Sequence, residues 1–192
     1  TGIKDIAAEA GIVHTSVYYY VKNKEAVARA VFDVFAGQIE EEVRRVHEER
    51  RDLLFKSVFG YVLIFKHLAL NPATKAVYYD LVDYADYDEA NIQRLERTVF
   101  KDLRAFFEAN GRRMSDSELV AFMLTSDAFA KALFKGMGNG ILRMTMEEAI
   151  DYFCRRMLVS DGLVTEEAYR RTFDEALRLS AAVTIDGLPS ED

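Results

Sequence analysis

The sequence predicts an all-α protein, and three observations support that prediction. Apolar residues recur at intervals of three and four along most of the chain, which is helical spacing. Only two prolines interrupt the 192 residues, and half of the residues are apolar, enough to bury a sizeable core. A serine and a threonine each precede a glutamate by three positions, which is a signature of a helix start.

The chain begins with two short segments that are predicted to form a pair of helices. Thr1 can cap the first helix, and Gly11 can take the positive φ that ends it. The inward positions of this helix are predicted to be Ile3, Ile6, Ala7 and Ala10. The stretch VYYYV at residues 17–21 favours a strand by propensity. As a helix, it places Val17 and Val21 on one face, where they can pack against the first helix.

Two longer helices are predicted next. A long amphipathic helix begins at residue 23, and its apolar face consists of Val27, Val31, Val34, Phe35, Ile39, Val43 and Val46. The most apolar region follows, from Leu53 to Leu70. Two lysines and a histidine interrupt it, so it falls short of the roughly 18 uncharged apolar residues of a membrane span. We therefore expect a buried helix that ends before Pro72.

Five further helical segments complete the predicted layout. A shorter segment begins at Asn71-Pro72. The next helix is marked by Ile92, Leu95, Val99, Leu103, Phe106 and Phe107, and Asn110-Gly111 closes it. Ser115 with Glu118 starts a helix that ends near Gly136, and Thr145 with Glu148 starts one that ends near Asp161-Gly162. The last helix runs from about Thr165 to Val183 and carries Tyr169, Phe173, Ala176, Leu177 and Ser180 on one side.

The first segment pair carries a resemblance to a known family. The order Ile6, Ala7, Ala10, Gly11, Ile12, Val17 resembles the skeleton of a helix-turn-helix, whose second helix enters the DNA major groove. TGIKDIAAEAG together with VYYYVKNKE is similar to the DNA-binding signature of the TetR family of bacterial transcriptional regulators. The resemblance covers about the first thirty residues in detail and the remaining helices in outline.

The resemblance implies a homodimeric, ligand-responsive repressor. Residues 1–46 would form the helix-turn-helix DNA-binding domain, without its first helix, and the start of a connecting helix. Residues 47–192 would form a helical domain that dimerises and binds a small-molecule effector. The effector would move the two DNA-binding units apart, so that they no longer fit double-stranded operator DNA.

The matching positions also imply the DNA contacts. The recognition helix would contribute His14, Thr15, Ser16, Tyr18, Tyr19 and Tyr20, and Lys24 would bind a phosphate. A lysine at a helix start is unfavourable unless an anion also binds there, which supports Lys24 independently. Tyrosine hydroxyls can bond phosphate oxygens, and their rings can contact thymine methyls. The alternatives are a solvated Lys24 and a core role for Tyr20.

Two residues depart from the family pattern. Val13 stands where many relatives carry a capping serine, and Val21 stands where many carry phenylalanine. Thr15 is a candidate substitute cap for the recognition helix.

Charge weighs against strong DNA binding. The net charge is −7 and the pI is about 5.1, whereas nucleic-acid binding domains are usually basic. From Thr1 to Lys24, three lysines face one aspartate and one glutamate, a balance of +1. We expect weak, steeply salt-sensitive non-specific binding, with most of the acidic charge in the larger domain.

Aromatic residues are dense between residues 55 and 134, which predicts an apolar or aromatic effector. The candidate lining residues are Phe55, Phe59, Phe65, Tyr78, Tyr79, Phe100, Phe107, Phe122 and Phe129. The alternative is a plain core, which would favour a DNA-binding or interaction protein with no effector. Residues 78–89 place Asp80, Asp83, Asp86 and Asp88 among tyrosines, either as a solvated helix end or as a site for a cationic ligand.

Small residues on two helices predict the dimer interface. They form a stripe on the helix that Ser115 starts, and the last helix would supply a second surface around a two-fold axis. The candidate contacts are Ala121, Thr125, Ala128, Ala132, Tyr169, Phe173 and Leu177. The alternative is that both surfaces pack within one chain.

Catalysis, metal binding and cofactor binding have little support in the sequence. His14, His47 and His67 lie on different predicted helices without metal-ligand spacing. GMGNG at residues 136–140 is typical of a helix end and not of a phosphate loop. The single cysteine, Cys154, excludes an internal disulfide, is predicted to be core and fits a reducing cytoplasm. An enzyme that uses the aromatic region remains a remote alternative.

Overall fold

The computed structural model describes residues 3–20, 23–70, 75 and 100–184, and all regular structure in those ranges is helical. The prediction of an all-α fold is therefore confirmed. The helices are α1 (Ile3–Glu9), α2 (His14–Tyr20), α3 (Lys24–Arg50), α4 (Leu53–Leu70), α5 (Lys101–Ala109), α6 (Asp116–Gly138), α7 (Met146–Leu158) and α8 (Glu166–Ser180).

Both expected capping boxes are present. The Ser115 hydroxyl accepts a hydrogen bond from the Glu118 amide at 3.3 Å, and the Glu118 carboxylate accepts one from the Ser115 amide at 2.8 Å. These bonds hold the pKa of Glu118 below its ordinary value. Thr145 and Glu148 make the same pair of bonds at the start of α7, so sequence alone located both helix starts.

The helix ends follow the glycines less closely. Gly11 and Gly111 take positive φ values of 66° and 75°, as expected of glycines that end helices. Helix α6 continues to Gly138, two residues beyond its expected end at Gly136. Helices α7 and α8 are shorter than expected: α7 ends at Leu158, before Asp161-Gly162, and α8 ends at Ser180, before Val183. A turn over Val159–Gly162, closed by the Gly162 amide on the Val159 carbonyl at 2.8 Å, separates the end of α7 from Gly162.

Helix α4 is the centre of the bundle. It packs against α3, α5, α7 and α8, and Val58, Phe59, Val62 and Leu63 are completely buried. Its 18 residues are long and apolar enough to cross a membrane by length and composition alone. Contacts with four other helices are those of a core helix, because a lipid-facing helix leaves much of its circumference uncovered.

Helix α3 packs on α4 through its second half. Phe35, Ile39, Val43 and Val46 are buried, and Val43 lies 3.8 Å from the position that a Cβ of Gly60 would occupy. The sequence also assigned Val34 to this face, but 65% of Val34 is exposed, so that assignment was wrong. The buried stripe starts at Phe35 and advances by four, four and three residues, which leaves Val34 on the other side.

A half-buried carboxylate, that of Asp151, joins the last two helices. The Tyr169 hydroxyl donates to Asp151 Oδ1 at 2.8 Å, and Arg170 and Arg155 each donate to the same carboxylate at 3.0 Å. Burial raises the pKa of Tyr169, which remains a neutral donor. Cys154 is buried beside this network, as expected, and burial raises the pKa of its thiol as well.

Candidate nucleic-acid interface

Helices α1 and α2 pack against each other through small and branched side chains. Ala7 and Val17 are buried, and the turn between the helices is closed by the Gly11 amide on Ala8 at 3.1 Å and the Ile12 amide on Ala7 at 3.0 Å. The backbone of residues 14–20 is helical, so tertiary packing overrides the strand propensity of the tyrosines. Ala10 was expected inside but is exposed, because α1 ends at Glu9 and Ala10 lies in the turn.

The start of α2 presents polar side chains to solvent. His14, Thr15 and Ser16 are all exposed, as a groove-facing surface requires. Val13 precedes the helix and is 66% exposed. Because α2 begins at His14, Thr15 is its second residue and is not the cap.

The remaining expected DNA contacts are only partly described. Tyr18, Tyr19 and Tyr20 lie on helical backbone and Lys24 is the first residue of α3, but their side chains fall outside the described part of the chain. Sequence reasoning missed Asn23, whose side chain caps α3 by accepting the Ala26 amide at 2.8 Å. An asparagine directly before a helical pattern is a cap signal that would have found it.

The described candidate effector residues fall into three groups of ring contacts. Phe55 stacks on Phe59 at 5.2 Å between centroids, and Phe107 meets the edge of Phe122 at 5.1 Å. The third group, which includes Phe65 and Phe129, is joined through Phe153 at 4.9 and 5.6 Å. Phe100 is buried in the same core. Tyr78, Tyr79 and the acidic segment 78–89 lie outside the described residues.

One polar pair lies among the rings of the third group. Tyr61 meets the edge of Phe153 at 5.0 Å, and the Ser126 side chain acts on the pKa of Tyr61 in the lowering direction. Ser126 in turn donates to the Phe122 carbonyl at 2.8 Å. Burial raises the pKa of Tyr61, so its hydroxyl stays protonated at neutral pH. Sequence reasoning missed this pair because nothing in the spacing of Tyr61 and Ser126 brings α4 and α6 together.

The candidate dimer residues divide between surface and interior. Ala121, Thr125, Ala128 and Ala132 are exposed along α6, beside Leu124, of which 43% is exposed. On α8, Tyr169 and Phe173 are buried inside the chain's own core, and Leu177 is half-buried against it. The stripe of small residues on α6 is therefore exposed and can contact a partner, whereas Tyr169 and Phe173 already pack inside their own chain.

Titratable groups do not gather into a metal site in the described ranges, where no three His, Cys, Asp or Glu side chains are grouped to hold an ion. His14, His47 and His67 lie on α2, α3 and α4, as the sequence predicted.

No protein-family model, curated protein or solved structure matches the chain.

Proposed function

We propose that the chain is a ligand-responsive, DNA-binding transcriptional regulator of the TetR type, and that it acts as a repressor in the cytoplasm. The observation that supports this most is the α1–α2 pair. Its two helices bury Ala7 and Val17 between them and leave His14, Thr15 and Ser16 exposed at the start of α2. A short helix with a polar, uncovered leading end is what a major-groove reader needs.

The arrangement of α3 supports the same proposal. Its first half carries exposed Ala30, Asp33 and Val34, whereas one face of its second half is buried against α4. A helix of this kind can connect a small binding unit to a larger bundle. The boundary at residues 46 and 47 lies inside α3 and stays a prediction.

Operator binding would combine phosphate contacts with base contacts. Lys24, at the first position of α3, would bind a phosphate together with the free amides of the helix start. Tyr18, Tyr19 and Tyr20 would add phosphate bonds and thymine contacts. The net charge of residues 1–24 is only +1, so affinity for the operator would come more from the fit of α2 to the groove than from charge attraction.

An apolar or aromatic small molecule is the proposed effector. The polar pair of Tyr61 and Ser126 within an aromatic surround offers the donor and acceptor that orient such a ligand. A second candidate is a DNA-binding protein of the same build without an effector. The close ring-to-ring contacts around Phe153 favour it, because rings that already fill the core leave less room for a ligand.

A second copy of the chain is the proposed partner, through the stripe on α6. If two α6 helices pack antiparallel around a point midway between Thr125 and Ala128, Ala121 lies opposite Ala132 of the partner subunit. The same register brings Glu118 near Lys135 of the partner subunit. The stripe is thus complementary to itself in both size and charge, as a two-fold interface requires.

The experiment that tests DNA recognition compares two lysines that occupy the same position in different helices. Lys24 is the first residue of α3 and Lys101 is the first residue of α5. Lys24→Ala should weaken binding to DNA from upstream of the gene and reduce its salt dependence by about one ion, whereas Lys101→Ala should change neither. Tyr18→Ala should also weaken binding. Equal binding by wild type, Lys24→Ala and Tyr18→Ala would defeat the assignment.

A further inference from the structure

Arg50 contacts other helices of the bundle from the C-terminal end of α3. Arg50, the last residue of α3, donates from Nη2 to Glu175 Oε1 on α8 at 2.6 Å. Its guanidinium carbon also lies 4.5 Å from the centre of the Phe55 ring on α4. Arg50 therefore contacts two different helices of the bundle at the point where α3 ends.

Two other arginines of α3 with described side chains differ in this respect. Arg44 pairs with Glu41 and Glu48, and Arg45 pairs with Glu42, all within α3 itself. Such pairs support the helix but do not fix its position relative to other helices. Arg50 and Glu175 are 125 residues apart in sequence, so their contact constrains tertiary geometry.

The packing of α3 on α4 leaves a role for such a constraint. Val43 faces Gly60, which has no side chain to interlock with it. Phe35, Ile39 and Val46 are also buried along this face of α3. The Arg50 contacts add a directional constraint at the end of the same helix.

Glu175 has a second arginine within reach. Arg178, one turn further along α8, lies 3.8 Å from the same carboxylate oxygen, and Arg171 also acts on Glu175 electrostatically. The Glu175 carboxylate can therefore keep a positive partner on α8 when Arg50 leaves. This makes release of Arg50 less costly than exposing a buried, unpaired charge.

We propose that Arg50, Phe55 and Glu175 form a clamp that sets the angle at which α3 leaves the bundle, with Arg50 as the positioning residue. The 27 residues of α3 span about 40 Å, so a tilt of about 5° at the clamp moves the far end by about 3 to 4 Å. The clamp thus sets the position of the N-terminal end of α3, which follows α1 and α2 in the chain. That this sets the spacing of recognition helices on an operator rests on the proposed function.

The test measures the angle directly, with two spin labels and pulsed electron paramagnetic resonance. One label replaces Gly37 on α3, where an added Cβ meets no atom within 4 Å, and the other replaces exposed Glu167 on α8. The thiol of Cys154 is buried and resists labelling. Dilution with unlabelled protein removes distances between chains.

Arg50→Gln should broaden the distance distribution, and Glu175→Gln should do the same. Arg44→Gln is the matched control, since it removes pairs within α3 only, and it should leave the distribution unchanged. Thermal melting of all variants should stay close to wild type, because partly exposed ion pairs contribute little to stability. The exchange of Arg50→Glu with Glu175→Arg should restore a narrow distribution.

An unchanged distribution in Arg50→Gln would overturn the clamp. The measurement contains no DNA, so its failure is separate from a failure of operator binding. A chain that binds no operator but shows the broadening would retain the clamp and lose the proposed function.

Discussion

Arg51 adopts a backbone conformation that residues other than glycine rarely take. Its φ is 54° and its ψ is 30°, and its amide closes α3 by bonding to the His47 carbonyl at 2.7 Å. The left-handed region places the Cβ of an L-residue too near the following carbonyl. The tight turn into α4, where Asp52 accepts the Phe55 amide at 3.0 Å, therefore carries a local cost.

Arg51→Gly should stabilise the protein by about 0.5 to 1 kcal/mol, because relief of that strain outweighs the greater freedom of glycine in the unfolded chain. Urea unfolding followed by circular dichroism measures the change. Gly111→Ala is the reciprocal control, since Gly111 has a φ of +75° and open space around it. It should be destabilising through backbone strain alone. A lower stability for Arg51→Gly would show that the arginine side chain contributes more than its backbone costs.

His67 makes stability depend on pH. Burial lowers the pKa of His67, and its Nδ1 donates to the Leu63 carbonyl at 2.8 Å, since a carbonyl can only accept. The unfolded chain binds a proton at His67 more readily than the folded chain does. Stability from this group is complete above the ordinary pKa of 6.5 and declines as the pH falls through 6.5 toward the lower folded pKa.

His67→Leu should therefore lose less unfolding free energy between pH 7.5 and pH 5.5 than wild type loses. Denaturant unfolding at the two pH values gives both differences. The change in unfolding free energy between the two pH values is independent of any overall change in stability that the leucine causes. Equal slopes would mean that His67 titrates alike in the folded and unfolded chains.

At the scale of elements, helix starts were easier to predict than helix ends or faces. Ser115 and Thr145 carry their partners three residues away, so their caps are local and readable. The burial of Phe35 instead of Val34 depends on how α3 rotates against α4, which no local signal specifies. For the same reason the contact of Phe107 with Phe122 and the ring group around Phe153 could not be predicted, because each joins different helices. Phe55 and Phe59, by contrast, lie four residues apart on α4, which is a local spacing.

The exposed stripe of small residues on α6 is the proposed dimer interface. Ala128→Glu should dissociate the proposed dimer, because it places two like charges together at the centre of a two-fold contact. Ala30→Glu on α3 is the control, since Ala30 is equally exposed in a helix interior. Sedimentation velocity at several concentrations separates monomer from dimer. A dimer that tolerates Ala128→Glu would place the interface elsewhere, and a wild type that stays monomeric would remove it.

At the scale of the whole molecule, a net charge of −7 has to be reconciled with the proposed binding to DNA, a polyanion. The α1–α2 pair is close to neutral, so its long-range attraction to DNA would be weak. The proposed recognition would then depend on the fit of α2 to the DNA groove and on the contacts that α2 makes there. The protein would bind its operator more tightly than it binds unrelated DNA.

The most direct test is fluorescence anisotropy of the full-length protein on DNA from upstream of its own gene and on a scrambled fragment, across a salt series. The account predicts tight binding to the native fragment that persists at salt concentrations where binding to the scrambled fragment is lost. Equally weak binding to both fragments, with the same salt dependence, would contradict the proposal that α2 reads a DNA sequence.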